Sequence, residues 1–310
     1  MKKLLAILLA GLMVFSVVAC SDKVHTDNND DEKYRDNTVI VDTVTEGTDT
    51  FRFENVDSET VIIVDFSTTL DKAHEVKLPA YLIVPGNEME NEPDKYLRVV
   101  GVGKEAFLNS SSINSLVFPT EADYKKYDPN FNIDEHSFTI GEYAFRECVA
   151  LQTLTLPAYV TEIGKGAFFG CIAFNAINFA DDAKIEQIGE YAFMDCTALT
   201  SVEFPGTVKS IGKAAFFECF GLESVIINEG TLTIGDQAFE NCIALKEVKL
   251  PASLESIGHY AFQDPNPDRP LRKDGLIYAG DLKGITDYIA TLALQDPQVQ
   301  APDASETPAQ

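Results

Sequence analysis

A motif that returns at a nearly constant spacing constrains this chain more than any other feature. In each copy an isoleucine or valine precedes a glycine, and an Ala-Phe pair follows after two intervening residues. The copies begin at Val102, Ile140, Ile163, Ile188, Ile211, Ile234 and Ile257. From Ile188 onward the step is 23 residues each time. A unit of this length cannot enclose a core alone, so the units must stack and share one.

The order of residues inside each unit predicts its path. After Ala-Phe the pattern is x-x-C-x-x-L-x-x-L-x-L, and a proline often follows. The alternation in L-x-L predicts a strand with its apolar side chains on one side, which proline ends. A V-x-x-I stretch predicts a second short strand, and the glycine allows a sharp change of direction. The A-F-x-x-C stretch predicts one or two helical turns. The predicted fold class is a repeat solenoid with a parallel β-sheet, about 23 residues per coil.

The motif I-G-x-x-A-F-x-x-C, over about residues 102–264, resembles the BspA-type (treponemal-type) leucine-rich repeat of bacterial surface proteins. The resemblance implies a parallel-sheet solenoid. It also implies a role at the cell surface, more often in adhesion or ligand binding than in catalysis.

One insertion departs from the repeat. It covers roughly residues 121–135, between the first two copies, and is polar with Tyr124, Tyr127 and Phe131. We expect it to loop out of the stack. Because tyrosines are common in interfaces, Tyr124 and Tyr127 are a second candidate contact for a partner.

The N-terminus has the form of a lipoprotein signal. Lys2 and Lys3 precede an apolar run that ends at Cys20, too short to span a bilayer and typical of a signal peptide. The end of the run, Val17-Val18-Ala19-Cys20, resembles the lipobox of bacterial lipoproteins, which implies lipid attachment at Cys20. The sequence therefore predicts an extracytoplasmic protein, lipid-anchored to a bacterial membrane and exposed at the cell surface. An ordinary signal peptide with a chance cysteine is the alternative.

The flanks differ in composition from the repeats. Short β-like runs precede them, and proline-rich segments follow. The predicted organisation is a signal peptide (1–19), an acidic tether (20–38), a β-rich N-terminal cap (39–101), a solenoid of seven repeats (102–265), a C-terminal cap (266–295) and a disordered tail (296–310). A separate small β domain is the alternative to the N-terminal cap.

Charge and motif content argue against several functions. With 49 acidic and 24 basic residues, the chain carries a net charge of −25, which repels nucleic acid. The four histidines are scattered without an i, i+4 pair, so we expect them at the surface and predict neither a metal nor a cofactor. Neither G-x-S-x-G nor a phosphate-binding glycine loop occurs. We therefore expect no enzyme, with a cryptic hydrolase that uses paired carboxylates as the remote alternative.

The repeat cysteines occupy one equivalent position in five units. They are Cys148, Cys171, Cys196, Cys219 and Cys242. We expect a structural ladder of buried, reduced thiols, because buried cysteine behaves as a small apolar residue. Disulfides between neighbours are the alternative, which an oxidising compartment would permit.

The outer face of the L-x-L strands is the predicted ligand-binding surface. Its candidate residues alternate with the inward leucines, and they are Thr153, Thr155, Asn178, Glu203, Ile226 and Lys249. Solenoids bind extended partners along such faces, so we predict a macromolecular partner, a host or neighbouring-cell surface protein. Capture of a glycan or nutrient is the alternative, and contact with the membrane is expected through the lipid anchor only.

Overall fold

The computed structural model describes residues 14–15, 43–45, 49–86, 91–262 and 276–278, with side chains over 49–86 and 91–262. Over the repeats the chain winds through successive coils, and each coil adds strands to parallel ladders, as a repeat solenoid requires. Cys20, the predicted tether and the predicted tail lie outside the described residues, as do most of the predicted signal peptide and C-terminal cap.

The longest sheet has twelve strands and contains the V-x-x-I stretches. Its strands are β1 (Val14–Phe15), β2 (Thr43–Thr45), β3 (Asp49–Asn55), β4 (Thr60–Thr68), β6 (Tyr81–Val84), β7 (Lys95–Val102), β9 (Phe138–Ile140), β11 (Val160–Ile163), β13 (Gln187–Ile188), β15 (Ser210–Ile211), β17 (Thr233–Ile234) and β19 (Ser256–Ile257). The strands before β4 pair antiparallel, and β4 then pairs parallel with β7. From β7 to β19 each strand pairs parallel with the next in the order of the sheet. The strands β3, β4 and β6, which precede the repeats, and β7, which ends at the start of the first repeat, therefore belong to the same sheet as the V-x-x-I strands.

The L-x-L stretches form two shorter sheets of four strands each. The first contains β5 (His74–Lys77), β8 (Ile113–Val117), β10 (Thr153–Leu156) and β12 (Ala176–Phe179). The second contains β14 (Ser201–Phe204), β16 (Ser224–Ile227), β18 (Glu247–Leu250) and β20 (Leu276–Tyr278). The L-x-L strands, predicted to form a parallel sheet, are thus divided into two sheets between β12 and β14. The break lies beside the longer coil from Ile163 to Ile188, whose extra residues follow β12.

The A-F-x-x-C stretches form successive reverse turns and contain no α-helix. A residue with positive φ precedes each stretch and a second lies within it, as Tyr143 (53°) and Glu147 (57°) show, and these two interrupt any continuous right-handed helix. Between them, backbone N–H groups donate to the next coil, as Phe145 does to the Ala167 carbonyl at 2.7 Å. The turns therefore act as a further link between coils.

A column of phenylalanines fills the interior beside these turns. We call it the phenylalanine stack, and it comprises Phe107, Phe145, Phe168, Phe193, Phe216, Phe239 and Phe262. From Phe145 onward neighbouring ring centroids are 5.0–5.2 Å apart and the rings lie within 13° of parallel. Each ring belongs to one coil, so this distance measures the repeat of the solenoid.

The repeat glycines are required by contact between coils. A Cβ added to Gly212 would lie 2.6 Å from the Glu190 nitrogen and 2.6 Å from the Gly189 carbonyl carbon. Gly212 does not have a positive φ, so the change of direction predicted for it does not explain its presence. Glycine stands there because two backbones approach more closely than a side chain allows.

The insertion packs against the fold and does not loop out of it. It contains α1 (Glu121–Lys125), which a capping box between Thr120 and Asp123 begins, and a 3-10 helix (Ile133–Glu135). Tyr124 is fully buried and stacks on Phe131 at 4.4 Å. Both expectations, a projecting loop and Tyr124 as an exposed contact, were wrong, because the aromatic side chains of the insertion gain more from burial than from solvent.

One histidine is buried under the insertion, contrary to the expectation that all four are exposed. His136 is 5% exposed, and its Nε2 lies 3.0 Å from the hydroxyl of Tyr124. Burial, with smaller contributions from the charges of Arg98 and Lys184, lowers the pKa of His136 from 6.5 to about 4. The side chain is therefore neutral in the folded protein at neutral pH.

We predict that Gly212→Ala destabilises the solenoid by about 3 kcal/mol, at the upper end for overpacking, because the neighbouring backbone cannot move away. The matched control is Gly170→Asn, since Asn109 and Asn241 occupy the equivalent position with positive φ in other coils. Urea unfolding of both variants measures the difference. Equal losses of stability for the two variants would contradict the contact between coils as the reason for glycine.

We predict that His136 makes the protein less stable as the pH falls from about 6.5 to about 4. The pKa of His136 is lower in the folded protein than in the unfolded chain, so in this pH range the unfolded chain binds the proton more readily. Protonation therefore favours unfolding, and the full stability is present only above about pH 6.5. The loss has a slope of up to about 1.4 kcal/mol per pH unit. Urea unfolding at several pH values should show a smaller slope for His136→Gln than for the wild type. Parallel curves would show that His136 does not contribute.

Candidate binding face

The six predicted face residues lie on the outward side of the L-x-L strands. Five of them are exposed, and Ile226 is half-buried. Thr153, Thr155 and Asn178 belong to the first four-stranded sheet, where Thr155 pairs in register with Asn178. The other three belong to the second sheet and pair in register with one another, in the order Glu203, Ile226, Lys249.

The inward neighbours of these residues fix their direction. Leu154, Leu156, Val202 and Val248 alternate with them and are at most 3% exposed, so the intervening side chains must point to solvent. We call the surface formed by the two sheets the outer face. Since β12 and β14 contact each other without pairing, it consists of two neighbouring patches and not one uninterrupted ladder.

Small and hydroxyl-bearing side chains dominate the outer face beyond the predicted residues. A second outward row runs Glu75, Ser115, Thr153, Ala176 on the first sheet, and Ser201, Ser224, Glu247 on the second. Glu203 accepts a hydrogen bond from the Asn228 amide at 3.1 Å. The face is therefore flat, hydrogen-bonding and mixed in charge, which suits contact with an extended partner better than enclosure of a small molecule.

The structure places the five repeat cysteines in one buried column as free thiols. Each Sγ donates to the carbonyl of the phenylalanine one coil earlier, for example Cys171 to Phe145 at 3.2 Å. The same bond recurs from Cys148, Cys196, Cys219 and Cys242 at 3.2–3.3 Å. Burial raises the pKa of Cys148 to about 12, and it also raises the pKa of Cys196 and of Cys219. Such thiols are poor nucleophiles.

Two of the remaining polar groups have structural partners. His74 pairs with the buried carboxylate of Asp49 at 2.9 Å, and Tyr159 donates to the Pro119 carbonyl at 2.6 Å. Within residues 49–86 and 91–262, no group of three or more His, Cys, Asp or Glu side chains is placed to hold a metal ion.

An aromatic surface pair was missed by the sequence reasoning. Tyr96 is 40% exposed and stacks on Tyr127 with ring centroids 4.7 Å apart. Tyr127, named as a candidate contact, is half-buried between Tyr96 and Tyr81. The pairing joins β7 to the insertion, and no local sequence pattern connects the two segments.

In the ranges that the structure describes, no helix has the length and apolar character needed to cross a bilayer.

Comparison with known proteins supports the fold on independent grounds. Residues 123–229 match the family model of the BspA type leucine rich repeat region in six copies. A leucine-rich repeat protein of T. pallidum is 27% identical, covers 67% of this chain and 82% of its own, and superimposes with a TM-score of 0.51. Comparison with curated proteins gave no match.

A second solved structure shares the fold. A leucine rich cell surface protein from Faecalibacterium prausnitzii is 23% identical over 71% of this chain and 51% of its own, with a TM-score of 0.53. At this identity the likeness shows the fold alone. The family match, the coil geometry and the likeness to the T. pallidum protein agree, and the chain carries a BspA-type leucine-rich repeat region across residues 123–229.

Proposed function

We propose that this protein is a cell-surface lipoprotein whose solenoid binds a macromolecular partner, a protein of a host or neighbouring cell. The partner lies along the outer face, and the protein acts by binding and not by catalysis. The observation that carries the proposal is the outer face itself, which presents registered rows of outward side chains on two parallel four-stranded sheets.

The physical character of the outer face supports a protein partner. Hydroxyl groups that pair in register, such as those of Ser115 with Thr153 and of Ser201 with Ser224, offer donors and acceptors at intervals of one coil. Opposite charges at Glu203 and Lys249, on either side of Ile226, add directional contacts. Because a ladder holds these groups, binding costs little ordering of the solenoid.

Glycan capture is the second candidate, and the pair of Tyr96 and Tyr127 favours it. An exposed aromatic ring supported by a second ring is a flat apolar surface on which the face of a sugar can stack. The ammonium of Lys126 lies 5.1 Å from the ring centroid of Tyr127 and adds a donor beside it. A glycan ligand would thus contact the insertion and β7 and leave the outer face free.

We predict that Cys20→Ser releases the protein from membranes. If lipidation at Cys20 is the anchor, the wild type expressed in a bacterium partitions into the detergent phase and labels with a palmitate analogue, and the variant does neither. The conservative control is Ser21→Ala, which leaves both properties unchanged. Equal labelling of wild type and Cys20→Ser would contradict the anchor without affecting the binding proposal.

We predict that bulky charge on the outer face weakens partner binding. Purified wild type should bind one or more immobilised host matrix proteins, and Thr155→Arg with Ser224→Arg should weaken that binding at least about 10-fold, a loss of roughly 1.4 kcal/mol. The matched control is Gln187→Arg, which is also exposed on a strand but lies in the long sheet. Glycan capture is tested in the same way, by comparing the binding of wild type and Tyr96→Ala to a glycan array. Binding that is indifferent to the outer-face substitutions would refute the proposed site.

A further inference from the structure

Four large apolar side chains are exposed at one equivalent position of successive coils. Each directly follows a repeat cysteine, and the exposed fractions are 39% for Val149, 52% for Ile172, 41% for Phe220 and 45% for Ile243. In the central coil the same position is held by Thr197. We call this row the apolar ridge. It runs along the turns and not along the outer face.

The turn that carries the ridge has the same geometry in each of these coils. The backbone N–H of each ridge residue donates to the carbonyl two residues earlier, and the four distances are 2.8–2.9 Å. The cysteine just before each ridge residue is anchored by its bond to the preceding coil. The four side chains therefore start from equivalent backbone positions, and they form a fixed row.

Acidic residues border the ridge. The residue two positions before the ridge position has positive φ in all five coils, and it is an acid in three of them. Glu147 (57°) forms an ion pair with Arg146 at 2.9 Å, whereas Asp195 (60°) and Glu218 (60°) lie in adjacent coils. Burial, together with the hydrogen bond and the charge of Glu218, raises the pKa of Asp195. Among the side chains that the structure describes, no Lys or Arg forms an ion pair with either acid. The Asn241 amide, 3.3 Å from Glu218, is the neutral group that contacts the pair.

We propose that the apolar ridge and its acidic border bind an amphipathic, basic α-helical segment of a protein partner. The inference deepens the proposed function and rests on it, but it places the contact on a different surface. Apolar side chains of the helix cover the ridge, and Lys or Arg side chains supply the cations that Asp195 and Glu218 lack.

The spacing of the coils favours a helix over an extended peptide. The phenylalanine stack repeats every 5.0–5.2 Å, and the ridge residues follow the same repeat. One helical turn rises about 5.4 Å, whereas side chains on one face of a strand are roughly 6.6 Å apart. A helix along the solenoid axis therefore stays in register with the ridge over its five coils. A second copy of this chain is a poorer candidate, because it also carries a net charge of −25 and would be repelled by the acidic border.

The experiment measures binding of a designed helical peptide of leucine and lysine by fluorescence anisotropy, with the full-length protein at about 150 mM salt. Its controls are a scrambled peptide of the same composition and a leucine–glutamate peptide of the same pattern. The test variant is Ile172→Thr, Phe220→Thr, Ile243→Thr, because Thr197 shows that the turn accepts threonine. The matched control is Val56→Thr, an exposed apolar residue between β3 and β4 that belongs to neither the ridge nor the outer face.

We expect the wild type to bind the leucine–lysine helix at least tenfold more tightly than either control peptide. The affinity of the triple variant should fall at least tenfold, that of Glu218→Gln should fall less, and that of Val56→Thr should not change. Since the threonine substitutions leave the charge unchanged, retained affinity in the triple variant would show non-specific attraction and overturn the proposal. Absence of binding, equal binding of the scrambled peptide, or a wild-type dimer in sedimentation that the triple variant lacks would also overturn it. None of these results would alter the test of the outer face.

Discussion

The distance between neighbouring coils, close to 5 Å, is the constraint on which the rest of this structure depends. The parallel ladders set this distance, and the columns of glycine, phenylalanine and cysteine residues must all fit it. The glycine column fits this distance because glycine has no Cβ, and a Cβ at Gly212 would lie too close to the backbone of the preceding coil. The phenylalanine stack satisfies it with nearly parallel rings. The cysteine column uses it, since a thiol such as that of Cys171 reaches the carbonyl one coil away. A change in one column must therefore be matched in the others.

This constraint is also why much of the fold could be predicted from the sequence. A motif that repeats with one spacing in several units must place equivalent residues in columns, so the L-x-L strands, their outward residues and the interior position of cysteines such as Cys196 follow without any tertiary information. The function of the glycines did not follow. Glycine supports both a left-handed turn and a close approach, and the sequence does not distinguish φ at Gly212 from φ at Gly170.

Features that depend on contacts outside the repeat could not be predicted. The insertion is polar by composition, yet its Tyr124 is buried against Tyr159, a residue of the next coil. His136, which follows the insertion, is buried against the same ring. The pairing of Tyr96 with Tyr127 joins segments that no spacing relates. The break between β12 and β14 depends on how the longer coil is accommodated. The apolar ridge is different, because the residue after each repeat cysteine is apolar in four of five units, and that signal was present in the sequence.

The two surfaces that the coils generate have different chemistry, and this difference bears on how such a solenoid selects partners. The outer face carries small hydroxyl groups with charge of both signs, so it can hydrogen-bond to many partners but holds little apolar area. The ridge concentrates apolar area beside Asp195 and Glu218, so it favours partners that are both apolar and basic. Because the same coils fix both surfaces, a partner that spans them would meet a regular template, and its affinity would depend on how well its own side chains match the spacing of the coils.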